Sequence, residues 1–237
     1  MIGLRAALIF ICLAAPAAAQ ITSARYVERT DRYGHGAVPG GEYGALEVTL
    51  ADGARAVSRV SGGVFEDTTP RLHDFDGDGA PEIVTVFSGD DVGAMIRIYA
   101  WRDGKLVLRG ANTPIGARHR WLAVAGMADF NGDGLDEIAF VDRPHLARRL
   151  ILTTVKPGRD GVAFSELATV GGLTNHKFGS PMIEGGVRDC AGEPPVVVTA
   201  SANWSRVIET RLDGLELKLI NVGRYQGPDS LSARLGC

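Results

Sequence analysis

The chain has 237 residues, of which 45% are hydrophobic, 7% aromatic and 22% charged, with 31 Gly and a net charge of −3. Glycine is well above its usual frequency of about 7%, and after residue 20 few stretches of a dozen residues lack one, which excludes an all-helical bundle. The mildly acidic total, with no basic block or aromatic-interleaved basic stripe, excludes a dedicated nucleic-acid binder.

Residues 1–19 read as an export signal. Arg5 supplies the positive end, residues 6–15 the apolar stretch, Pro16 breaks it, and Ala17-Ala18-Ala19 offers small residues to a signal peptidase. Cys12 follows Phe10-Ile11 rather than the small residues a lipid-anchor site requires, so cleavage before Gln20 is expected. The apolar run falls short of the roughly 20 residues that span a bilayer, and no later stretch exceeds it. The expectation is an exported chain, periplasmic or extracellular, with no transmembrane segment and one domain over residues 20–237.

The first unit, about 24–61, is degenerate and is marked by an Asp52-Gly53 turn between alternating apolar runs, a strong hairpin signal. The same signal recurs at Asp103-Gly104, Asp160-Gly161 and Asp213-Gly214, so four hairpins imply four units. The second unit, about 62–115, contains Asp74-Phe75-Asp76-Gly77-Asp78-Gly79-Ala80-Pro81-Glu82, followed by a predicted hairpin of residues 96–101 with 105–109. The third, about 116–179, repeats that loop 55 residues later as Asp129-Phe130-Asn131-Gly132-Asp133-Gly134-Leu135-Asp136-Glu137, with strands predicted at 121–128, 137–141, 149–155 and 162–170. In the fourth, about 180–237, Val187 and Ala191 occupy the first and fifth frame positions, so no cation can hold that turn. Four short antiparallel strands repeating every 40 to 55 residues or so predict an all-β fold, a β-propeller-like array of about four four-stranded blades, with closure of the ring left open.

Within each intact loop, side chains one, three, five and nine and the carbonyl of residue seven converge on one point. Asp74, Asp76, Asp78, the Ala80 carbonyl and Glu82 form one oxygen set, and Asp129, Asn131, Asp133, the Leu135 carbonyl and Glu137 the other. Such a set suits a hard cation that takes six to eight oxygens, so two Ca2+ sites are expected, the alternative being two metal-free acidic turns. Asp136 stands one place off the frame and is expected to face water.

The Asp-Phe-Asp/Asn-Gly-Asp-Gly-x-x-Glu-Ile signature resembles the FG-GAP/VCBS repeat of integrin-like propellers. The stretch 116–180, with Arg120-Trp121-Leu122, Pro144-His145 and Asn175-His176, is similar to exported bacterial VCBS-repeat proteins of unassigned function. The resemblance implies a calcium-bearing β-propeller; such propellers often have seven blades, where this chain holds about four units.

Propeller topology puts the Asp-rich loops and Asp-Gly turns on one face. The opposite face receives Arg118, His119 and Arg120 from one connection between units, His145 from a loop within a unit, and Asn175, His176 and Lys177 from the next connection. Asp90, Asp91, Asn203 and Trp204 fall in corresponding loops. Binding groups concentrate on loops carried by a rigid scaffold, so His119, His145, Asn175 and His176 are candidates for a polar ligand site, the alternative being that they cap turns. No nucleophile elbow, His-Glu-x-x-His, Walker loop or Cys-x-x-Cys is present. Three readings stand: a calcium-binding module for a protein or glycan partner, which is favoured; a hydrolase using the His-bearing face; and a structural envelope module. Cys190 and Cys237 remain after signal removal and are expected to pair in an oxidising compartment, two buried thiols being the alternative. The bridge would bring residues 224–236 against the last unit.

Overall fold

The computed structural model describes residues 20–237, so the expected export signal lies outside the described residues. Short strands in three antiparallel sheets make up nearly all of the regular structure there. The first sheet contains β1 (Ile21–Arg29), β2 (Glu42–Leu50), β3 (Arg55–Arg59), β4 (Gly63–Glu66), β5 (Arg71–His73), β6 (Glu82–Gly89), β7 (Gly93–Arg102) and β8 (Lys105–Ala111). Its order is β1-β2-β4-β6-β7-β8, with β3 on β2 and β5 on β6. The first two sequence units therefore share one continuous sheet, joined through β4. The second sheet is β9 (Leu122–Ala128), β10 (Glu137–Asp142), β11 (Arg149–Pro157) and β12 (Val162–Gly171), hydrogen-bonded in sequence order. The third contains β13 (Leu173–Thr174), β14 (Gly186–Arg188), β15 (Val196–Ser201), β16 (Arg206–Asp213) and β17 (Glu216–Arg224), and a short helix, α1 (Asp229–Ser232), follows it.

Turn chemistry fixes the outer hairpins. Trp101 pairs with Leu106 and Arg102 with Lys105, leaving Asp103-Gly104 as a two-residue loop with φ of 52° and 73°. Positive φ at both positions is the turn whose twist matches that of the flanking strands.

Strand alternation then decides how the sheets stack. In β10, Ile138 and Phe140 pack towards Val84, Val86, Ile96 and Ile98 of the first sheet. Ala139 and Val141, on the other face, pack with Val197 and Ile208 of the third. β6 behaves alike: Val84 and Val86 face the second sheet, while Ile83 and Phe87 join Leu46 and Val48 of β2. All residues of β6 and β10 are buried because each has strands packed against both faces, and so residues 138–141 read as a continuous apolar run and residues 83–87 as one interrupted only by Thr85. Outer strands such as β17 are largely exposed.

The outer face of the third sheet is covered by the chain's own tail: Leu231 is fully buried against Val196, Val198 and Val207. Cys190 and Cys237 form a disulfide with Cα atoms 5.7 Å apart, which anchors the tail to the turn before β15. Among the described residues no strand pairing joins the first sheet to the third; loops make the contact instead. The Gly179 N–H donates to the Ala37 carbonyl at 2.9 Å, and Ala37 and Val38 pack into the same cluster as Trp121 and Ile183.

Candidate functional site

The two Asp-rich loops have the same internal wiring. Asp74 accepts from the N–H groups of Gly77 at 2.9 Å and Gly79 at 2.8 Å, and Asp129 does the same for Gly132 and Gly134 at 2.7 and 2.9 Å. Asp78 and Asp133 each accept from the N–H two residues on at 2.8 Å. Glu82 and Glu137 are buried at the start of β6 and β10, each accepting from the N–H of the loop phenylalanine, Phe75 or Phe130, at 3.1 and 3.0 Å. These bonds engage both carboxylate oxygens of Asp74 and of Asp129, and one oxygen each of Asp78, Asp133, Glu82 and Glu137.

Among the described residues, Asp74, Asp76 and Asp78 place one oxygen each within 4.8 Å of one another. Arg102, at the end of β7, presses its Nη2 against this set, 3.4 Å from Asp76, 3.5 Å from Asp78 and 3.6 Å from Glu82. A cation thus stands against the donor set, and the oxygens fit a hard metal ion. Burial, followed by the neighbouring Asp76 and Asp78, pushes the Glu82 carboxyl up to about 7 despite the Phe75 N–H and Arg102. Glu137 is also raised, chiefly by burial, while Thr154 donates to it at 2.8 Å. The pairing register puts Lys156 of β11 in the place that Arg102 holds in β7, yet among the described residues no basic side chain forms an ion pair with Asp129, Asp133 or Glu137. Asp136 does not face open water: its carboxylate meets His73 Nε2 at 2.6 Å, tying the second loop to β5.

At the other ends of β9 and β10 the structure brings four of the five histidines together. His119 precedes β9, and His145 lies between β10 and β11. Asn175 and His176 are not in a connection between units as the repeat frame had placed them; they lie between β13 and β14, in a segment that interrupts the strand paired to β15. His145 Nε2 lies 2.9 Å from His176 Nδ1, and His176 Nε2 lies 3.0 Å from the Ser180 carbonyl. A carbonyl only accepts, so His176 carries its proton on Nε2 and accepts from His145 through Nδ1. The Nδ1 of His145 is then left as a lone pair. Burial, then the nearby imidazoles of His176 and His35, pushes His145 down to about 4, and burial also lowers His176. Both rings are neutral at pH 7.

The fourth member, His35, escaped the sequence reading because its unit carries no intact loop; its signal was the tripeptide Gly34-His35-Gly36. Both glycines have positive φ, and the buried Glu42 carboxylate accepts from the N–H groups of Gly34 and His35 at 2.9 and 2.8 Å. His35 Nδ1 lies 2.6 Å from the carboxylate of Glu66, which is 1% exposed and also accepts from Ser88 at 2.6 Å. His35 stacks on His119 at 5.3 Å between centroids. His119 itself adopts φ of 56°, held by the Tyr33 hydroxyl accepting its N–H at 2.8 Å. Gly93 anchors the same connection: a Cβ there would lie 2.2 Å from the Ala117 carbonyl.

These residues bound a cleft of about 220 Å³ lined by His35, His119, Arg120, Trp121, Arg143, His145, Leu146 and Phe178. Trp121, fully buried, forms its floor and donates its indole N–H to the Glu66 carbonyl at 2.6 Å. His176 stands behind His145, and Asn175 is fully buried, donating to the Ala123 carbonyl at 3.2 Å. A larger groove of about 390 Å³ lies beyond Arg143, where Asp142 pairs with Arg143 and Arg149. No helix of the described residues is long and apolar enough to cross a membrane.

Residues 74–140 match the family model of an FG-GAP-like repeat. The match opens on the first residue of the first Asp-rich loop and closes inside β10, so it contains both loops. Among curated proteins none matches the chain.

Proposed function

We propose that this FG-GAP-like repeat protein is an exported, calcium-stabilised binding module of propeller-like build, with its partner site in the histidine and aromatic cleft and its metals at the opposite ends of the strands. The observation that carries this reading is the convergence of His35, from the first unit, and of His119, His145 and Phe178, from three loops of the third, on one concave site. Concave sites built by several loops on a rigid scaffold are the usual place for ligands. Asp74, Asp76, Asp78 and Glu82 would hold one Ca2+, and Asp129, Asn131, Asp133 and Glu137 the second, with the Ala80 and Leu135 carbonyls completing the sets. Affinity typical of extracellular modules, about 0.1 to 1 mM, is expected. The metals then stiffen the loops that align β6 and β10 without entering the partner site.

The test is a glycan-array and pull-down screen with the calcium-loaded protein beside a Leu146→Trp variant that fills the cleft. A partner, glycan or protein, captured by the first and lost from the second supports the reading; capture unchanged by the substitution moves the site elsewhere. The hydrolase reading has one observation on its side, the Glu66–His35 pair, in which a buried carboxylate orients an imidazole as it does for a general base. Turnover abolished by His35→Gln would favour it over binding alone.

A further inference from the structure

We propose that the cleft selects an anion carried on a six-membered ring, a carboxylate attached to a pyranose or a benzene ring, with Arg120 as its charge partner. This rests on the cleft being the partner site. Among the described residues the lining contains no aspartate or glutamate. Of its two arginines, Arg143 is already neutralised by a two-pronged contact with Asp142 at 2.9 and 2.8 Å. Arg120 forms no ion pair among the described residues, and its guanidinium donates to the His119 carbonyl at 3.0 Å. The carboxylate nearest the imidazoles, Glu66, is buried and engaged by His35 and Ser88, so it does not face an incoming anion. A half-buried arginine without a carboxylate partner, in a concave site free of acidic side chains, is suited to a charge-assisted, bidentate contact with an oxyanion.

The walls set the body of the ligand. Phe178 is 59% exposed and stands edge-on to His35 and His145 at 5.9 and 5.2 Å, and Leu146 is 62% exposed on the same rim. Apolar faces of this size, around about 220 Å³, match one ring with a substituent and fall below the roughly 300 Å³ at which drug-sized sites begin. The imidazoles do not form a cage for a transition metal. His35 and His119 are stacked with only 8° between their planes, so their in-plane lone pairs cannot meet on one ion.

Calorimetric titration with glucuronate and benzoate, against glucose and benzyl alcohol as uncharged counterparts, tests the inference on the calcium-loaded protein. Charged probes should bind and uncharged ones should not, with Arg120→Gln weakening the charged probe about tenfold or more and Arg120→Lys retaining part of the affinity. Unchanged thermal unfolding of both variants shows that they fold. Glucuronate alone binding identifies an acidic sugar; benzoate alone identifies an aromatic acid. Equal binding of charged and uncharged probes, or indifference to Arg120→Gln, overturns the anion while leaving the cleft as the partner site. No binding of either charged probe up to about 10 mM also overturns it. Charged-probe binding that survives Leu146→Trp overturns both this inference and the reading of the cleft beneath it.

Discussion

The Arg102 guanidinium lies 3.6 Å from the Glu82 carboxylate in the first Asp-rich loop, whereas in the second loop Lys156, in the corresponding place, forms no ion pair with the loop's carboxylates among the described residues. The two loops are therefore unequal competitors for a metal, although their sequences and backbone hydrogen bonds are nearly superposable. A divalent ion entering the first must displace or repel the arginine. Removing it with Arg102→Ala should tighten calcium at that loop by about 3- to 10-fold, in keeping with the modest worth of partly exposed ion pairs, and leave the second loop unchanged. Calorimetry resolving two sites checks this, and an unchanged pair of affinities would mean that the arginine swings away at no cost.

Asp74 has two separable roles, as turn organiser through its contacts with the Gly77 and Gly79 N–H groups and as a metal ligand. Asp74→Asn removes the charge and keeps one acceptor oxygen, so that one of the two turn bonds survives and the other is lost. Its melting temperature without calcium should fall, and the increment on adding calcium should also shrink, since each site at ten times its Kd contributes about 1.4 kcal/mol. Asp74→Ala should lose about 1 kcal/mol even without calcium. Thermal melts of both variants, with and without the metal, separate the roles.

His145 and His176 are held neutral in the fold. The unfolded chain takes up protons at its ordinary imidazole pKa of about 6.5, which the folded chain refuses down to about 4 at His145. Their contribution to stability is therefore fully present above about pH 6.5 and is lost as pH falls towards 4. Urea unfolding at a series of pH values should show a steeper loss across that window in wild type than in His145→Gln. Equal slopes would show that the His145–His176 contact does not govern the acid limb.

The Cys190–Cys237 bridge closes 47 residues and fastens the segment whose Leu231 covers the third sheet. In the chain-entropy model that loop is worth about 4 kcal/mol. Reduction should lower the unfolding midpoint even with calcium saturating, because the metal loops and the bridge restrain different sheets. Thiol labelling of the denatured, unreduced protein should find neither cysteine reactive, and two reactive thiols would remove the bridge from the account.

The sequence by itself determined the all-β class, the four Asp-Gly hairpins and the two Asp-rich loops, because each is written in short-range spacing. Alternation of two specifies which residues of a strand share a face, Asp103-Gly104 specifies its turn, and the nine-residue frame brings its own oxygens together. It also marked His119, His145 and His176 as loop residues, since none of them falls in an alternating apolar run. Only the tertiary structure decided what depends on contacts across the chain. Glu66 and His35 are 31 residues apart and share no periodicity, Arg102 reaches the first loop from the far end of a hairpin, and His73 takes the Asp136 carboxylate that spacing alone left to solvent. The segment carrying Asn175 and His176 breaks an inner strand because packing against Ala37 and Val38 and the Gly179-to-Ala37 hydrogen bond reward it there, while the tail rather than the first unit covers the last sheet because Leu231 fills its outer face. Local spacing encodes which groups can exist; burial of side chains distant in sequence selects which of them meet.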